Sequence, residues 1–239
     1  MAHPSVTIPS RFNGPPGSAN GGYTCGVLAQ LVGAEEVTAS LRRPPPIERA
    51  LEVVRDGERV ELRDGDALVA EGEPGELRVD VPDAVTPDAA AAAAAAGAEH
   101  WCAHHPFPTC FTCGPDRRAG DGMRLFPGEL DGGPLYAVDW TPDPTLDDGT
   151  GHVRPEFVWA ALDCPSSAPV ANFGEGPAMV LARLTGRLGC PVLVGERHAI
   201  VSWPLEVDGR KHHAACALFD SSGRLLCASQ ALWIELRQE

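Results

Sequence analysis

Three stretches of this 239-residue chain gather side chains able to do chemistry. The first holds Cys102, His104, His105, Cys110 and Cys113, residue types that bind zinc. A structural zinc site takes four ligands, and Cys110 with Cys113 plus two of the other three would supply them. The spacing is short, however, and no second Cys-x-x-Cys pair accompanies the first. A redox role for Cys110 and Cys113 would call for a thioredoxin-like βαβ setting, which is absent from the sequence pattern. The second stretch is Asp147, Asp148 and His152, where a carboxylate near an imidazole can act in base catalysis, or Asp-Asp-Gly can simply make a turn. The third is Asn20-Gly21-Gly22, directly before an apolar, helix-like run. A helix start preceded by glycines offers unpaired backbone N–H groups and the positive end of a dipole, although a glycine pair can also be only a turn. His212 and His213 are adjacent in a strand and point to opposite faces, so they make no joint site.

The background composition narrows what these groups can serve. With 44% hydrophobic and 22% charged residues the chain is an ordinary globular one. The net charge of −14 repels phosphate backbones and anionic surfaces, so neither nucleic acid nor a membrane is an expected partner. Residues 1–14 are polar and broken by proline, unlike a secretory leader. Cytoplasmic localisation is therefore expected, with the eight cysteines as reduced thiols. Cys216 and Cys227 fall in apolar strand-like runs and read as small core residues. The 26 glycines and 23 prolines imply many turns.

One segment divides the chain. Thr86-Pro87-Asp88, the run Ala89 to Ala96 and Gly97 read as a capped, glycine-terminated helix without large side chains, suited to connecting two packed units. The expected division is a first half over residues 1–98, connector included, and a second over 99–239. A shift of 134 positions aligns their helix-like segments, placing Tyr23 on Phe157 and Leu28 on Leu162. After the first helix come strand patterns at Glu36 to Leu41, Arg49 to Val54, Arg59 to Leu62 and Ala67 to Glu71. After the second come Val180 to Leu188, Arg197 to Val207, Lys211 to Phe219 and Leu225 to Leu236, with Asp-Gly and Ser-Gly pairs as hairpin signals. Each half reads as a helix followed by an antiparallel meander, an α+β class.

A helix wrapped by an antiparallel sheet, in tandem, resembles the double hotdog fold of acyl-thioester-processing enzymes. Cys110-Phe-Thr-Cys113-Gly-Pro-Asp with Gly122-Met-Arg-Leu125 is similar to the opening motif of hotdog thioesterases related to the phenylacetic-acid-pathway (PaaI) group, with Arg117-Arg118 where Asn-Pro is usual. The two loop-to-helix segments, and the closing pattern from Val207-Asp-Gly-Arg to Trp233, carry the rest of the likeness. It covers most of the second half and the first half more loosely.

The resemblance implies hydrolysis of an acyl-CoA or other acyl thioester, and a template for the site. In the PaaI-like group a His-Gly-Gly starts the helix, and a carboxylate stands seven residues beyond the second glycine. Here Asn20-Gly21-Gly22 keeps the glycines, but the seventh residue onward is Ala29; in the second half Pro155-Glu156 replaces the glycines, but the seventh residue onward is Asp163. Hotdog sites are built across a dimer interface. The implied site is thus composite: Gly21 and Gly22 polarise the thioester carbonyl, and Asp163 is base or nucleophile. Asn20, Asn13, Asp148 and His152 are candidate substrate contacts. The alternative for Asp163 is a helix carboxylate satisfied by a nearby donor, and Pro165 so soon after it is expected to kink or end the helix. No metal or cofactor is expected, because the family's cysteines at this motif are not generally metal ligands. A non-catalytic ligand-binding protein is the alternative function, a hydratase fits less well for want of a dehydratase pattern, and a homodimer is a plausible assembly.

Overall fold

The computed structural model describes residues 4–171 and 176–237. The first half begins with a short strand β1 (Ser5–Thr7), then helix α1 (Gly21–Val32) and strands β2 (Glu36–Leu41), β3 (Ala50–Asp56), β4 (Arg59–Asp64) and β5 (Ala67–Pro74). Helix α2 (Pro87–His104) leads to β6 (Gly128–Glu129) and β7 (Tyr136–Trp140). The second half continues with α3 (Pro155–Ser167), β8 (Met179–Leu188), β9 (His198–Asp208), β10 (Lys211–Phe219) and β11 (Leu225–Glu235).

Among the described residues the strands form one antiparallel sheet in the order β1-β3-β4-β5-β2-β8-β11-β10-β9-β7-β6. The two meanders meet where β2 pairs with β8, with Thr38 opposite Thr185 and their hydroxyl oxygens 2.9 Å apart. A single curved sheet thus wraps α1 and α3, which pack against each other in its interior. This is the tandem hotdog arrangement that the sequence pattern suggests.

Local chemistry sets each helix. The Asn20 side chain caps α1 by accepting from the Tyr23 N–H at 2.8 Å, and Gly33, at φ 76°, ends it in the left-handed conformation that glycine tolerates. Leu28 of α1 is fully buried against Leu51, Val60 and Leu62 of the first-half strands. At ~1.5–3 kcal/mol for each such side chain removed from water, this face is what holds the helix to the sheet. Phe157 and Leu162 of α3 fill the corresponding space in the second half with Ile200, Cys216 and Leu218.

The alanine-rich helix differs from its sequence reading. Gly97 does not terminate it: α2 runs on to His104, across the division expected at residue 98. Its small side chains let it lie close on the outer face of the second half, where Ala90 and Ala93 pack with Ala137, Ala199 and Val201. Gly97 faces Gly128, and a Cβ on Gly128 would stand 1.8 Å from the Ala93 carbonyl oxygen. Pro165 likewise does not end α3, which continues to Ser167 with the proline in its last turn. No helix among the described residues is long and apolar enough to cross a membrane.

Candidate active site

The two central helices run antiparallel and almost touch. A Cβ on Gly22 would lie 2.3 Å from Asp163 Cβ, and one on Gly26 would lie 2.5 Å from Glu156 Cα. Glycines at i and i+4 therefore let the backbone of α1 approach α3. This brings the N-terminus of α1 to the C-terminal turn of α3, where the Gly22 N–H donates to Asp163 Oδ2 at 2.7 Å.

Hydroxyl groups serve the end of α3. Ser166 Oγ donates to the Asp163 carbonyl at 2.6 Å and accepts from Trp233 Nε1 at 2.9 Å; Ser167 Oγ donates to the Cys164 carbonyl at 2.8 Å. The Ser167 bond satisfies a carbonyl that the helix end leaves open, and Ser166 ties Trp233 of β11 to the last turn of α3.

Asp163 is 1% exposed, and its Oδ1 is buried with no hydrogen-bond partner among the described residues. Burial pushes its carboxyl up to about 8; the Gly22 amide opposes that shift, while the nearby Cys110 adds to it. Asp163 stands in the wall of a cavity of about 650 Å³. Asn20, Gly21, Cys110, Cys113 and Cys164 share that wall, with Leu41, Trp101, Met179, Leu181 and Trp233 as apolar lining. The N–H of Gly21, in the first turn of α1, has no partner among the described residues. Gly22, by contrast, is not an open donor, because its N–H is held by Asp163.

The pseudo-symmetric counterpart is closed. Glu156 occupies the place that Gly22 has in the other helix, and its Oε2 accepts from Gln30 Nε2 at 3.0 Å, next to Ala29. A side chain and its partner thus fill the position where the second half lacks the glycine and the first half lacks the acid.

Asn20 lines the cavity; its Oδ1 caps α1, and its Nδ2 lies 3.7 Å from Cys110 Sγ and 3.6 Å from Cys164 Sγ. Asn13 holds its own loop. Its Nδ2 donates to the Gly14 carbonyl and Thr109 Oγ1, and its Oδ1 accepts from Arg117. Asp147 and Asp148 make turns, with Asp147 Oδ1 accepting from the Gly149 N–H and Asp148 Oδ1 from the Thr150 N–H. His152 Nδ1 shares Thr150 Oγ1 with Asp148, and none of the three lines the cavity that holds Asp163. His212 pairs with Glu235 across the strand.

The zinc-like segment separates into two groups. Cys102 and His104 are exposed, whereas Cys110 and Cys113 turn inward and meet Cys164 of α3. Sequence reasoning missed Cys164 because it lies 54 positions from Cys110 and carries no motif of its own. Gly26 was also missed, although its spacing from Gly22 is a legible sign of a closely approached helix face.

No family model and no curated protein matches the chain. Solved structures do. The tesB protein of Mycobacterium avium subs paratuberculosis superposes with a TM-score of 0.61 at 16% identity, over 97% of this chain and 91% of that one. A proposed thioesterase II of Thermobifida fusca matches with a TM-score of 0.58 at 17% identity, over 98% and 92%. The acyl-CoA thioesterase II TesB2 of Mycobacterium marinum matches with a TM-score of 0.55 at 13% identity, over 93% of both chains. At these identities the likeness shows the fold, a double hotdog spanning nearly the whole chain.

Proposed function

We propose that this chain hydrolyses an acyl thioester of the acyl-CoA class at a single composite site. The observation that carries the proposal is the junction of Asp163 from one half with the helix start of the other, in the wall of an apolar cavity. The cavity accepts the acyl chain against Leu41, Met179, Leu181 and Trp233. The Gly21 N–H and the positive end of α1 polarise the thioester carbonyl. In its ionised form, populated as pH rises towards and past about 8, Asp163 takes a proton from water as the water oxygen bonds to the carbonyl carbon; the C–S bond then breaks, and the thiol leaves with that proton, giving a carboxylic acid. Gly22 holds the carboxylate in place for this step and does not bind the oxyanion. The full-length likeness to proteins named as thioesterases agrees with this reading.

The test is release of free thiol from acyl-CoA esters of short, long and aryl chains. Turnover that survives unchanged in Asp163→Asn removes Asp163 from the mechanism. A second reading, ligand binding without turnover, is favoured by the mutual satisfaction of Asp163 Oδ2 and the Gly22 amide, as expected of a helix cap. Saturable acyl-CoA binding with no thiol released from any ester establishes that reading instead.

A further inference from the structure

We infer that Cys110, Cys113 and Cys164 form a binding site for a soft divalent ion of the zinc class, with three thiolate ligands and a fourth position open to the cavity. The three sulfurs lie within 4.8 Å of one another and are buried. Cys110 Sγ and Cys164 Sγ are 3.8 Å apart and unbonded. A tetrahedral ion with Zn–S bonds of ~2.3 Å separates its sulfurs by roughly 3.8 Å, so this pair already stands at the required edge.

The backbone is shaped for thiolates as well. The turn from Cys110 closes with the Gly114 N–H donating to the Cys110 carbonyl at 2.8 Å, and a Cβ at Gly114 would lie 2.4 Å from that oxygen. Glycine there lets the chain wrap closely around Cys110. Asn20 Nδ2 lies within hydrogen-bonding reach of both Cys110 Sγ and Cys164 Sγ. Donors of this kind stabilise metal-bound thiolate.

His105 is not the fourth ligand. Its Nδ1 accepts from the Phe107 N–H at 2.9 Å, so in the neutral ring the proton sits on Nε2, which points at Cys113 Sγ from 3.1 Å. A ligating Nε2 would need that proton moved to Nδ1, against the Phe107 N–H. His105 is thus, with Asn20, an N–H donor to the sulfur cluster. All three cysteines line the cavity, so the remaining coordination position is filled by water or by an atom of whatever the cavity holds. On binding, the ion displaces the thiol protons to solvent.

Cobalt(II) is the probe, added to the reduced full-length chain under argon. The expected result is one equivalent bound with a near-ultraviolet thiolate-to-cobalt absorption, displaced by zinc(II), lost in Cys164→Ser and Cys113→Ser, and kept in Cys190→Ser. X-ray absorption of the zinc-loaded wild-type chain should count three sulfurs and one lighter neighbour, a result that does not depend on any variant folding. Absence of the absorption in the wild-type chain, its retention in a folded Cys164→Ser, a disulfide among these three that persists in reductant, or a shell of four sulfurs would each overturn the site. None of these readouts involves thioester turnover.

Discussion

Gly22 and Asp163 are separated by 141 positions in sequence and joined by a 2.7 Å hydrogen bond between α1 and α3. That bond makes each half dependent on the other. The side chain closes one of the open N–H groups of α1, and the helix start donates a backbone amide to the buried acid. Asp163→Asn preserves the acceptor for Gly22 and removes the group that titrates. The variant should melt within ~1 kcal/mol of wild type, the usual size of a retained neutral hydrogen bond, and lose ~100-fold or more of thiol-releasing activity, the typical contribution of acid–base groups. Equal activity in the two proteins would leave Asp163 as a cap alone.

Gly22→Ala tests the packing of the helices apart from the chemistry. A methyl placed 2.3 Å from Asp163 Cβ and 2.7 Å from the Trp159 carbonyl oxygen cannot be accommodated without moving α1 from α3. Overpacking of a core costs ~1–3 kcal/mol, and here it also lengthens the Gly22 to Asp163 bond. Urea unfolding should show the loss, and activity should fall with it. Gly57→Asn is the control: Gly57 has φ 60° and open space around its Cβ position, so asparagine there should change stability by less than ~0.5 kcal/mol.

How much of this was legible depends on whether a feature is local. The strands β2 and β10 begin and end where their apolar patterns do, at Glu36–Leu41 and Lys211–Phe219. Strand β1, three residues between prolines, and β7 after Gly132-Gly133-Pro134 lack the length to show a period and form because a neighbour pairs with them. Asp163 and the glycine pair emerged because the resemblance to PaaI-like thioesterases implies glycines at a helix start and a carboxylate seven residues beyond, a template that each half, related by a shift of 134 positions, matches in part. Cys164 could not emerge in that way, since its partners lie on a loop that the shift does not relate to α3. The length of α2 was misread for a physical reason: Gly97 normally signals a helix end, but here the close approach of Gly128 requires a glycine in mid-helix.

That close approach makes its own prediction. Gly128→Ala puts a methyl 1.8 Å from the Ala93 carbonyl oxygen, a backbone atom that can yield only if α2 lifts from the sheet. Gly97→Ala meets Gly128 Cα at 2.7 Å but gains ~1 kcal/mol of helix propensity in return. Gly128→Ala should therefore be the more destabilising of the two by thermal melting. It should also increase hydrogen exchange across α2 while leaving α1 and α3 protected. A uniform rise in exchange over all three helices would show that α2 is not a separately docking element.

The pH dependence of stability should carry the mark of His198. This residue of β9 is 1% exposed, its ring lies 6.3 Å from that of Trp140, and its Nδ1 has no hydrogen-bond partner among the described residues. Burial lowers its pKa below the ordinary histidine value, and hydrogen bonding at Glu196 and Trp140, with the charges of Glu196 and Asp220, offsets only part of that shift. The unfolded chain therefore binds the proton first as pH falls through ~6.5, so the stabilising contribution is complete above that value and declines below it until the folded state also protonates. The limiting slope for one such proton is ~1.4 kcal/mol per pH unit. His198→Phe removes the titrating group and keeps a ring beside Trp140. Urea unfolding of both proteins from pH 8 to pH 5 should show wild type losing stability more steeply than the variant below ~6.5, with parallel curves above it. Parallel curves over the whole range would mean that His198 titrates alike in the folded and unfolded chain, contrary to its burial.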